Sequence, residues 1–330
     1  MMDQVRWGMI GCGNVTEVKS GPAFSEIAGS SLVAVMRRDG EKAREYAARH
    51  GVPKWYADAD VLIGDPEVNA VYIATPPDSH AEYTCKAAAA GKPVYVEKPM
   101  ARTYAECERM IAACEQAGVP LFVAYYRRRL PLFLKVKELV ASEAVGEVRF
   151  VSIRLTRPPS PEDFDREHLP WRVLPEIAGG GYFYDLGAHQ LDFLDYVFGP
   201  VVEVQGHVAN QAGLYPAEDL VCGTFTFASG VVGSGVWCFT TSEQDRIDRT
   251  EIVGSAGKIV YATFEAEPLR VETDEGVQEY RFEAPAHIQQ PLIQTVVDEL
   301  LGRGSCPSTG VTGARTTWVM ESLVSRREAL

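Results

Sequence analysis

The chain has 330 residues, which is enough for about two domains of ordinary size with a sizeable apolar core. Acidic residues outnumber basic ones by 45 to 32, and the net charge of −13 disfavours nonspecific binding to nucleic acid. Apolar residues make up 46% of the chain and charged residues 23%, proportions of a folded globular protein that exclude wholesale disorder and a collagen-like repeat.

The N-terminal residues and the cysteines indicate a cytoplasmic protein. The apolar stretch within residues 1–13 is too short for a signal peptide, and no run approaches the roughly 20 apolar residues that span a bilayer. We therefore expect no membrane segment and no nucleic-acid partner. The seven cysteines form no CxxC pair and have no histidine cluster nearby, so we expect buried, reduced thiols and no metal site.

The first part of the chain alternates short apolar runs with amphipathic stretches. This alternation is typical of a parallel sheet covered by helices on both faces, so we predict an α/β, doubly wound domain. The predicted strands cover residues 5–10, 32–36, 70–74, 93–96 and 120–123. The predicted helices cover residues 15–28, 41–50, 79–90 and 104–117.

Beyond Leu130 the pattern changes to longer runs typical of an antiparallel sheet. Strands are predicted over 147–155, 220–227, 231–239 and 249–253, with hairpin turns at 228–230 and 273–276. Helices are predicted over 132–141, 182–197, 290–301 and 311–326. This part is therefore predicted to be mainly antiparallel sheet with a few helices.

A glycine-rich turn follows the first predicted strand and opens the first predicted helix. In this context the glycines permit a tight turn and a close approach of the backbone to a pyrophosphate. The alternative is a tight strand-to-helix turn without a ligand. Thr16 departs from the small residue usual at the third position. The turn consists of Gly11, Cys12, Gly13, Asn14, Val15 and Thr16.

Two arginines end the second predicted strand, about 24 residues after Gly13. An acid at this point typically binds the ribose hydroxyls of NAD, whereas Arg37 and Arg38 favour the 2′-phosphate of NADP by charge and bidentate hydrogen bonds. Asp39 lies slightly too far along the chain for the position that binds the ribose, and the alternative is that it only caps the N-terminus of the next helix. The other interpretation of both arginines is that they are solvated surface charges.

Two more segments follow predicted strands at the same carboxyl edge. Thr75 and Pro76 begin an extended turn, after which His80 either lines the cofactor groove or packs locally. Glu97 and Lys98 follow the next strand, and both are predicted to bind the cofactor. The Lys98 ammonium can point into the cleft, and Pro99 can fix the loop through a cis peptide.

A glycine run precedes an aspartate and a histidine spaced four residues apart. On a helix Asp185 and His189 share one face, and the glycines at 179–181 allow a ligand or the other domain to approach closely. A histidine near its unperturbed pKa of about 6.5 can exchange a proton with a substrate hydroxyl. A structural carboxylate–histidine pair is the alternative.

The motifs, in this order and at these spacings, resemble those of the glucose-fructose oxidoreductase and inositol dehydrogenase (Gfo/Idh/MocA) family. They are the glycine turn, the Thr75-Pro76 turn, Glu97-Lys98-Pro99 and the run from Gly180 to His189. The resemblance covers nearly the whole chain. It implies a Rossmann domain over residues 1–124 that binds NAD(P). It also implies an α+β domain over 125–330, built on a large open, mostly antiparallel sheet, that binds substrate and forms homodimers or homotetramers.

The resemblance also assigns residues. It places Lys98 near the nicotinamide and the reacting carbon, with His189 as the acid–base group and Asp185 as its neighbour in the substrate pocket. It matches Tyr126 and Arg127 to a segment that borders the substrate. It also matches Trp171 and Arg172 to a loop that reaches the cofactor and the substrate.

These residues and the family together predict hydride transfer between the nicotinamide and a hydroxyl or carbonyl carbon of a sugar or polyol, with NADP(H) favoured and NAD(H) possible. Ketones like 1,5-anhydrofructose and inositols are candidate substrates. Two alternatives remain open, namely an NAD-dependent glycoside hydrolase of the same superfamily and a non-enzymatic regulator that senses a nucleotide.

Overall fold

The computed structural model describes residues 2–325, which form two compact units. The first unit contains the chain up to Leu130 together with Ala284–Ala314. The second contains Pro131–Glu283 together with the described residues from Arg315 onward. Each unit has its own sheet. No helix among residues 2–325 is both long enough and apolar enough to cross a bilayer.

The sheet of the first unit has six parallel strands. They are β1 (Val5–Ile10), β2 (Ser30–Met36), β3 (Lys54–Tyr56), β4 (Ala70–Ile73), β5 (Val94–Val96) and β6 (Leu121–Val123). Their order is β3-β2-β1-β4-β5-β6, and every residue of β4, β5 and β6 is buried. This confirms the doubly wound fold. The strand order reverses between β1 and β4, and at such a point the carboxyl ends of the strands open a crevice for ligands.

Six helices connect these strands. They are α1 (Asn14–Val18), α2 (Ala23–Glu26), α3 (Gly40–His50), α4 (Ala59–Gly64), α5 (His80–Ala89) and α6 (Tyr104–Ala117). Side chains cap the N-termini of α3, α4 and α6. Thr103, for example, accepts a hydrogen bond from the Glu106 amide at the start of α6, and Gly118 ends that helix with a φ of 65°. The sequence pattern missed β3 and α4 because three and six residues are too short to display a period.

The helix predicted over 15–28 is wrong, because the chain forms the two short helices α1 and α2 instead. Between them, Pro22 has no N–H to donate to a continuing helix. The chain bends back at Gly21, whose amide donates to the Thr16 carbonyl at 3.1 Å, and a side chain at Gly21 would overlap that carbonyl and the Tyr46 hydroxyl. An apolar period alone did not reveal this tertiary contact.

The second unit contains an eight-stranded sheet. Its strands are β7 (Val148–Thr156), β8 (Val201–Ala209), β9 (Leu220–Phe227), β10 (Val232–Cys238), β11 (Ile247–Gly254), β12 (Gly257–Tyr261), β13 (Leu269–Thr273) and β14 (Gly276–Tyr280). Their order is β14-β13-β12-β11-β7-β10-β9-β8, and only β7 and β10 pair in parallel. The mainly antiparallel sheet and both predicted hairpin turns are confirmed. Helices α7 (Pro131–Ala141), α8 (Pro175–Ala178) and α9 (Ala188–Phe198) belong to the same unit.

One face of this sheet is buried and the other is open. Along β7, Val151 and Ile153 are buried, whereas Phe150 is 46% exposed. On the neighbouring strand Val232, which is paired with Phe150, and Val236 are exposed to a similar extent. Apolar side chains therefore point to solvent on the open face.

The compact units differ from the predicted division at residues 124 and 125, because the chain returns to the first unit after β14. There, α10 (Gln290–Leu300) buries Leu292, Ile293 and neighbouring apolar residues. Helix α11 (Gly310–Val324) starts close to β6, where Gly310 and Gly313 approach Leu121 and Val123. Arg326, the predicted end of α11, lies outside the described residues.

Candidate active site

The glycine turn lies at the carboxyl end of β1. Gly11 has a φ of +94°, and a Cβ there would lie 2.8 Å from the Thr75 amide nitrogen, so only glycine fits. Gly13, in contrast, has open space where a side chain would lie, because a Cβ there would meet only the Gly11 carbonyl oxygen, at 3.8 Å. The open space beside Gly13 fits the close approach of a pyrophosphate.

Thr16, which departs from the usual small residue, closes this turn. Its hydroxyl donates to the Gly13 carbonyl at 2.8 Å, and its own carbonyl accepts a hydrogen bond from the Tyr46 hydroxyl at 2.9 Å. Within the turn, burial raises the pKa of the Cys12 thiol to about 11. The thiol therefore stays neutral at physiological pH and brings no negative charge to the turn.

The end of β2 lies against this turn. Arg37 is half-buried, and its guanidinium donates to the Cys12 carbonyl at 3.4 Å. Arg38 is exposed. Asp39 caps α3 by accepting a hydrogen bond from the Lys42 amide at 3.3 Å, which confirms its interpretation as an N-cap. The carboxylate is thus engaged by the helix, and Arg37 places a positive charge next to the glycine turn.

The turn after β4 contacts both the glycine turn and the loop after β5. Thr75 approaches Gly11 as described, and its hydroxyl accepts a hydrogen bond from Ser79 at 2.7 Å. The His80 ring is fully buried, with Nε2 at 2.7 Å from the Thr75 carbonyl and Nδ1 at 3.1 Å from that of Pro99 and 3.2 Å from that of Met100. This geometry corresponds to the packing alternative for His80, because the ring has no exposed surface with which to line a groove. It joins the two loops.

Lys98 lies in the loop at the carboxyl end of β5, and its side chain is partly exposed. The Lys98–Pro99 peptide is cis, as anticipated. The preceding Glu97 is buried and accepts hydrogen bonds from the Tyr72 hydroxyl and the Gln289 side-chain amide, each at 2.6 Å. The carboxylate predicted to face a cofactor is therefore engaged by protein donors.

Tyr126 and Arg127 occupy a 3₁₀ turn after β6. Both are largely buried, and the Arg127 guanidinium lies over the Tyr126 ring at 5.1 Å. The neighbouring Arg128 donates to the Pro307 carbonyl at 2.8 Å, which ties this turn to the returning segment.

In the second unit, two of the predicted site residues are joined by an ion pair. Arg172 lies in a 3₁₀ turn, and its Nε is 3.1 Å from Asp185 Oδ2. The guanidinium also lies over the Trp171 ring at 4.5 Å. The sequence pattern placed Asp185 beside His189, and it did not indicate this pairing with Arg172.

His189 lies in the first turn of α9, directly after a π-helical turn over Phe183–Gly187 that includes Asp185. Single π-turns in α-helices are frequent at functional sites. The His189 ring is 3% exposed and packs edge-on against Phe264 at 5.9 Å. The next residue, Gln190, accepts a hydrogen bond from the Trp237 indole at 2.7 Å, which anchors this turn of the helix in the unit's interior.

The glycines before this helix have a local packing role. A side chain at Gly180 would overlap the Tyr184 ring, and a Cβ at Gly181 would lie 2.9 Å from that of Ala217. The close approach that we predicted for a ligand or the other domain is therefore made by neighbours within the same unit.

Sequence reasoning missed Tyr72 and Gln289. The only signal for Tyr72 is a hydroxyl within an otherwise apolar strand. Nothing in a single sequence links Gln289 to Glu97, because 192 residues separate them.

Comparison with known proteins agrees with this architecture. Residues 5–125 match the model of the oxidoreductase family with an NAD-binding Rossmann fold (GFO_IDH_MocA), and residues 133–260 match the Gfo/Idh/MocA C-terminal domain. The chain is 39% identical over 321 residues to oxidoreductase P35 of Formosa agariphila, covering 97% of this chain and 98% of the relative. It is 27% identical to 1,5-anhydro-D-fructose reductase of Ensifer adhaerens, over 93% and 92% of the two chains.

A solved structure shares the fold along nearly the whole chain. The aldose-aldose oxidoreductase of Caulobacter crescentus, complexed with glycerol, superposes with a TM-score of 0.84 at 25% identity and covers 97% of this chain and 96% of that one. The two family models together match most of the chain. The chain therefore belongs to the Gfo/Idh/MocA family of oxidoreductases.

Proposed function

We propose that this protein is an NADP(H)-preferring oxidoreductase that acts on a hydroxyl or carbonyl carbon of a sugar or polyol. One observation carries the proposal: the loops after β1, β4 and β5 form a single connected cluster through Gly11, Thr75, His80 and Pro99. They meet at the carboxyl edge of a doubly wound sheet, which is where such sheets bind dinucleotides.

The residues of the first unit fit the nucleotide. Gly13 borders the open space that a pyrophosphate needs, with Gly11 and Cys12 before it and Asn14 and Val15 next in the chain. Arg37 and Arg38 are suited to a 2′-phosphate because guanidinium groups bind phosphate strongly. Thr75, Pro76 and the Glu97–Lys98 segment belong to the cluster at the same edge. When bound, the nicotinamide supplies or accepts the hydride.

Two side chains are proposed to act on the substrate oxygen. Neutral His189 accepts the hydroxyl proton during oxidation, and the imidazolium returns it during reduction. The Lys98 ammonium stabilises negative charge that develops on the same oxygen. Asp185 and Arg172, held together by their ion pair, and Tyr126, Arg127 and Trp171 are proposed to bind the substrate or the adjoining part of the cofactor.

The substrate class rests on family membership and on a relative. The protein of Ensifer adhaerens that is 27% identical over almost the whole chain is a 1,5-anhydro-D-fructose reductase. We propose a ketone of this kind, or an inositol, as the first substrates to test.

The nucleotide preference is tested by titrating nucleotide-free protein with NADPH and NADH and following nicotinamide fluorescence. We expect tighter binding of NADPH, and we expect Arg37→Asp to lose this preference because a carboxylate repels the 2′-phosphate. Arg44→Asp is the matched control, since Arg44 is exposed on α3 and paired with Glu41. Equal affinities in the wild type, or a preference for NADH, would refute the proposed NADP selectivity and favour an NAD enzyme, including the hydrolase alternative.

The chemistry is tested with His189→Ala. Loss of a general acid–base group typically costs about 10²- to 10⁴-fold in rate, so we expect turnover to fall by at least about 100-fold while nucleotide affinity persists. Activity within a few-fold of the wild type would remove His189 from this role. Nucleotide binding by the wild type without turnover of any carbohydrate would favour the regulatory alternative.

We further propose that the open face of the second sheet mediates self-association into a homodimer or homotetramer. Phe150, Val232 and Val236 present apolar surface there, and exposed apolar patches of this kind mark interfaces. Light scattering on Val232→Lys should report a smaller species than on the wild type, and a monomeric wild type would refute this.

A further inference from the structure

A buried hydrogen-bond network surrounds the residue that precedes Lys98. Glu97 Oε1 accepts hydrogen bonds from the Tyr72 hydroxyl and the Gln289 amide, both at 2.6 Å, and Oε2 accepts one from the Lys98 backbone N–H at 3.3 Å. Tyr72 is 0% exposed, Gln289 1% and Glu97 6%. Both oxygens of the carboxylate are therefore held by donors of the first unit.

The direction of each hydrogen bond follows from the chemistry of the groups. Burial, together with the charge of Glu97, raises the pKa of Tyr72 well above its usual value, so the phenol keeps its proton. A carboxylate can only accept, so this proton points to Glu97, and the Ser20 hydroxyl 3.0 Å away donates to the Tyr72 oxygen. On the other side, the Tyr95 hydroxyl donates to Gln289 Oε1 at 3.3 Å and thereby orients the amide.

The main chain of the network residues is anchored as well. The Glu97 backbone N–H donates to the Ile73 carbonyl at 2.8 Å, and the Gln289 backbone N–H donates to the Lys19 carbonyl at 3.1 Å. The network thus joins β4, the end of β5, the link between α1 and α2, and the residue before α10. Strand β4 leads into the Thr75 turn, which contacts the glycine turn, and β5 leads into the Lys98 loop.

We propose that Tyr72 and Gln289 are positioning residues for Lys98 and act through the Glu97 carboxylate. They hold Glu97 in one orientation, Glu97 holds the Lys98 amide, and the start of the Lys98 side chain is thereby set. The inference rests on the proposed function, in which Lys98 acts on the substrate oxygen. A displacement of about 1 Å of such a group can cost about 100-fold in rate.

The first test needs no substrate. Hydrogen–deuterium exchange of residues 94–101 is compared between the wild type, Tyr72→Phe and Gln289→Leu. Tyr72→Phe keeps the aromatic ring, Gln289→Leu replaces the amide by an apolar side chain of similar size, and each removes one donor to Glu97. We therefore expect about tenfold faster exchange of the Lys98 amide. Ser30→Ala is the control, because it removes a buried hydroxyl of the same unit that is bonded to Phe24 and Trp7 instead. Unchanged exchange in both network variants would overturn the inference.

The second test is kinetic and uses NADPH with a ketone of the 1,5-anhydrofructose type. We expect Tyr72→Phe and Gln289→Leu to lower kcat by about 10- to 100-fold, with KM for the nucleotide within about threefold and with Ser30→Ala unchanged. In a Lys98→Ala background, Tyr72→Phe should lower kcat no further, because the two residues act through one route. A full additional loss in that background would show a general structural role and would overturn the inference.

The two tests separate this inference from the proposed function. A wild type that reduces no ketone and oxidises no polyol removes the proposed function, while the exchange experiment still decides whether the network orders the Lys98 loop. Conversely, an active wild type with network variants of unchanged exchange and unchanged kcat leaves the proposed function in place and removes the positioning role.

Discussion

Replacement of His80 by phenylalanine tests how the loops at the carboxyl edge are held. In the wild type one ring nitrogen faces the Thr75 carbonyl at 2.7 Å, and the other faces those of Pro99 and Met100 at 3.1 and 3.2 Å. The phenyl ring fills the same space without a donor. A buried acceptor left without its donor costs about 1–3 kcal/mol. Burial lowers the pKa of His80, so the imidazole is neutral at pH 7 and carries a single N–H. Loss of that one donor lowers the free energy of unfolding by about 1–3 kcal/mol.

Urea unfolding followed by circular dichroism measures this change. His80→Gln should recover part of the loss, since its side-chain amide can donate to a carbonyl of one of the two loops. His168→Phe is the control: its side chain is 78% exposed, so its effect should stay within about 0.5 kcal/mol. A His80→Phe protein whose unfolding free energy lies within about 0.5 kcal/mol of the wild type would refute the argument that this ring joins the two loops.

Two further predictions concern stability. Gly206→Ala should destabilise the protein by about 1–3 kcal/mol or more, because the new Cβ overlaps the Leu323 backbone where α11 lies on the sheet. Gly64→Ala is the control, since a Cβ at Gly64 has open space around it and should cost no stability. Equal urea midpoints for the two variants would contradict this prediction. The second concerns Asp65, where burial works to raise the pKa but the hydrogen bonds from Lys54, the Glu67 amide and Tyr56 outweigh it and hold the pKa below its usual value. The carboxylate therefore contributes stability above pH about 4, where it is charged in both states, and this contribution is lost as the pH falls below that value. The stability difference between the wild type and Lys54→Met, measured by urea unfolding, should accordingly shrink on acidification, and a constant difference would count against the pairing.

Most of the fold could be predicted from periodicity. Strands β1 and β9 and helix α6 lie where the pattern placed them. In such apolar or amphipathic runs, only one type of secondary structure brings the apolar side chains together on the buried side. The short elements β3 and α4 and the nine-residue strand β8 were not predicted, and the single helix predicted over 15–28 is broken at Pro22. The glycines at 179–181 were predicted to let a ligand or the other domain approach closely, whereas their close neighbours include Tyr184 and Ala217.

In the candidate site, too, some features could be predicted from the sequence and others could not. The positions of the glycine turn, of Arg37 and of Lys98 follow from chain order, because the carboxyl ends of parallel strands meet at one edge of a sheet. These residues, and the type of chemistry that they suit, were accessible from the amino-acid sequence without coordinates. Their partners were not. The contact of Arg172 with Asp185 spans 13 residues, and that of Gln289 with Glu97 spans 192.

The physical reason is the range of the interactions. Local periodicity and turn chemistry specify which face of an element is buried and where a loop emerges, and they act within a few residues. A buried polar group, in contrast, must find its donors wherever folding brings them. That Glu97 is held by Tyr72 and Gln289, and that His80 joins two loops, follows from packing between separate segments of the chain.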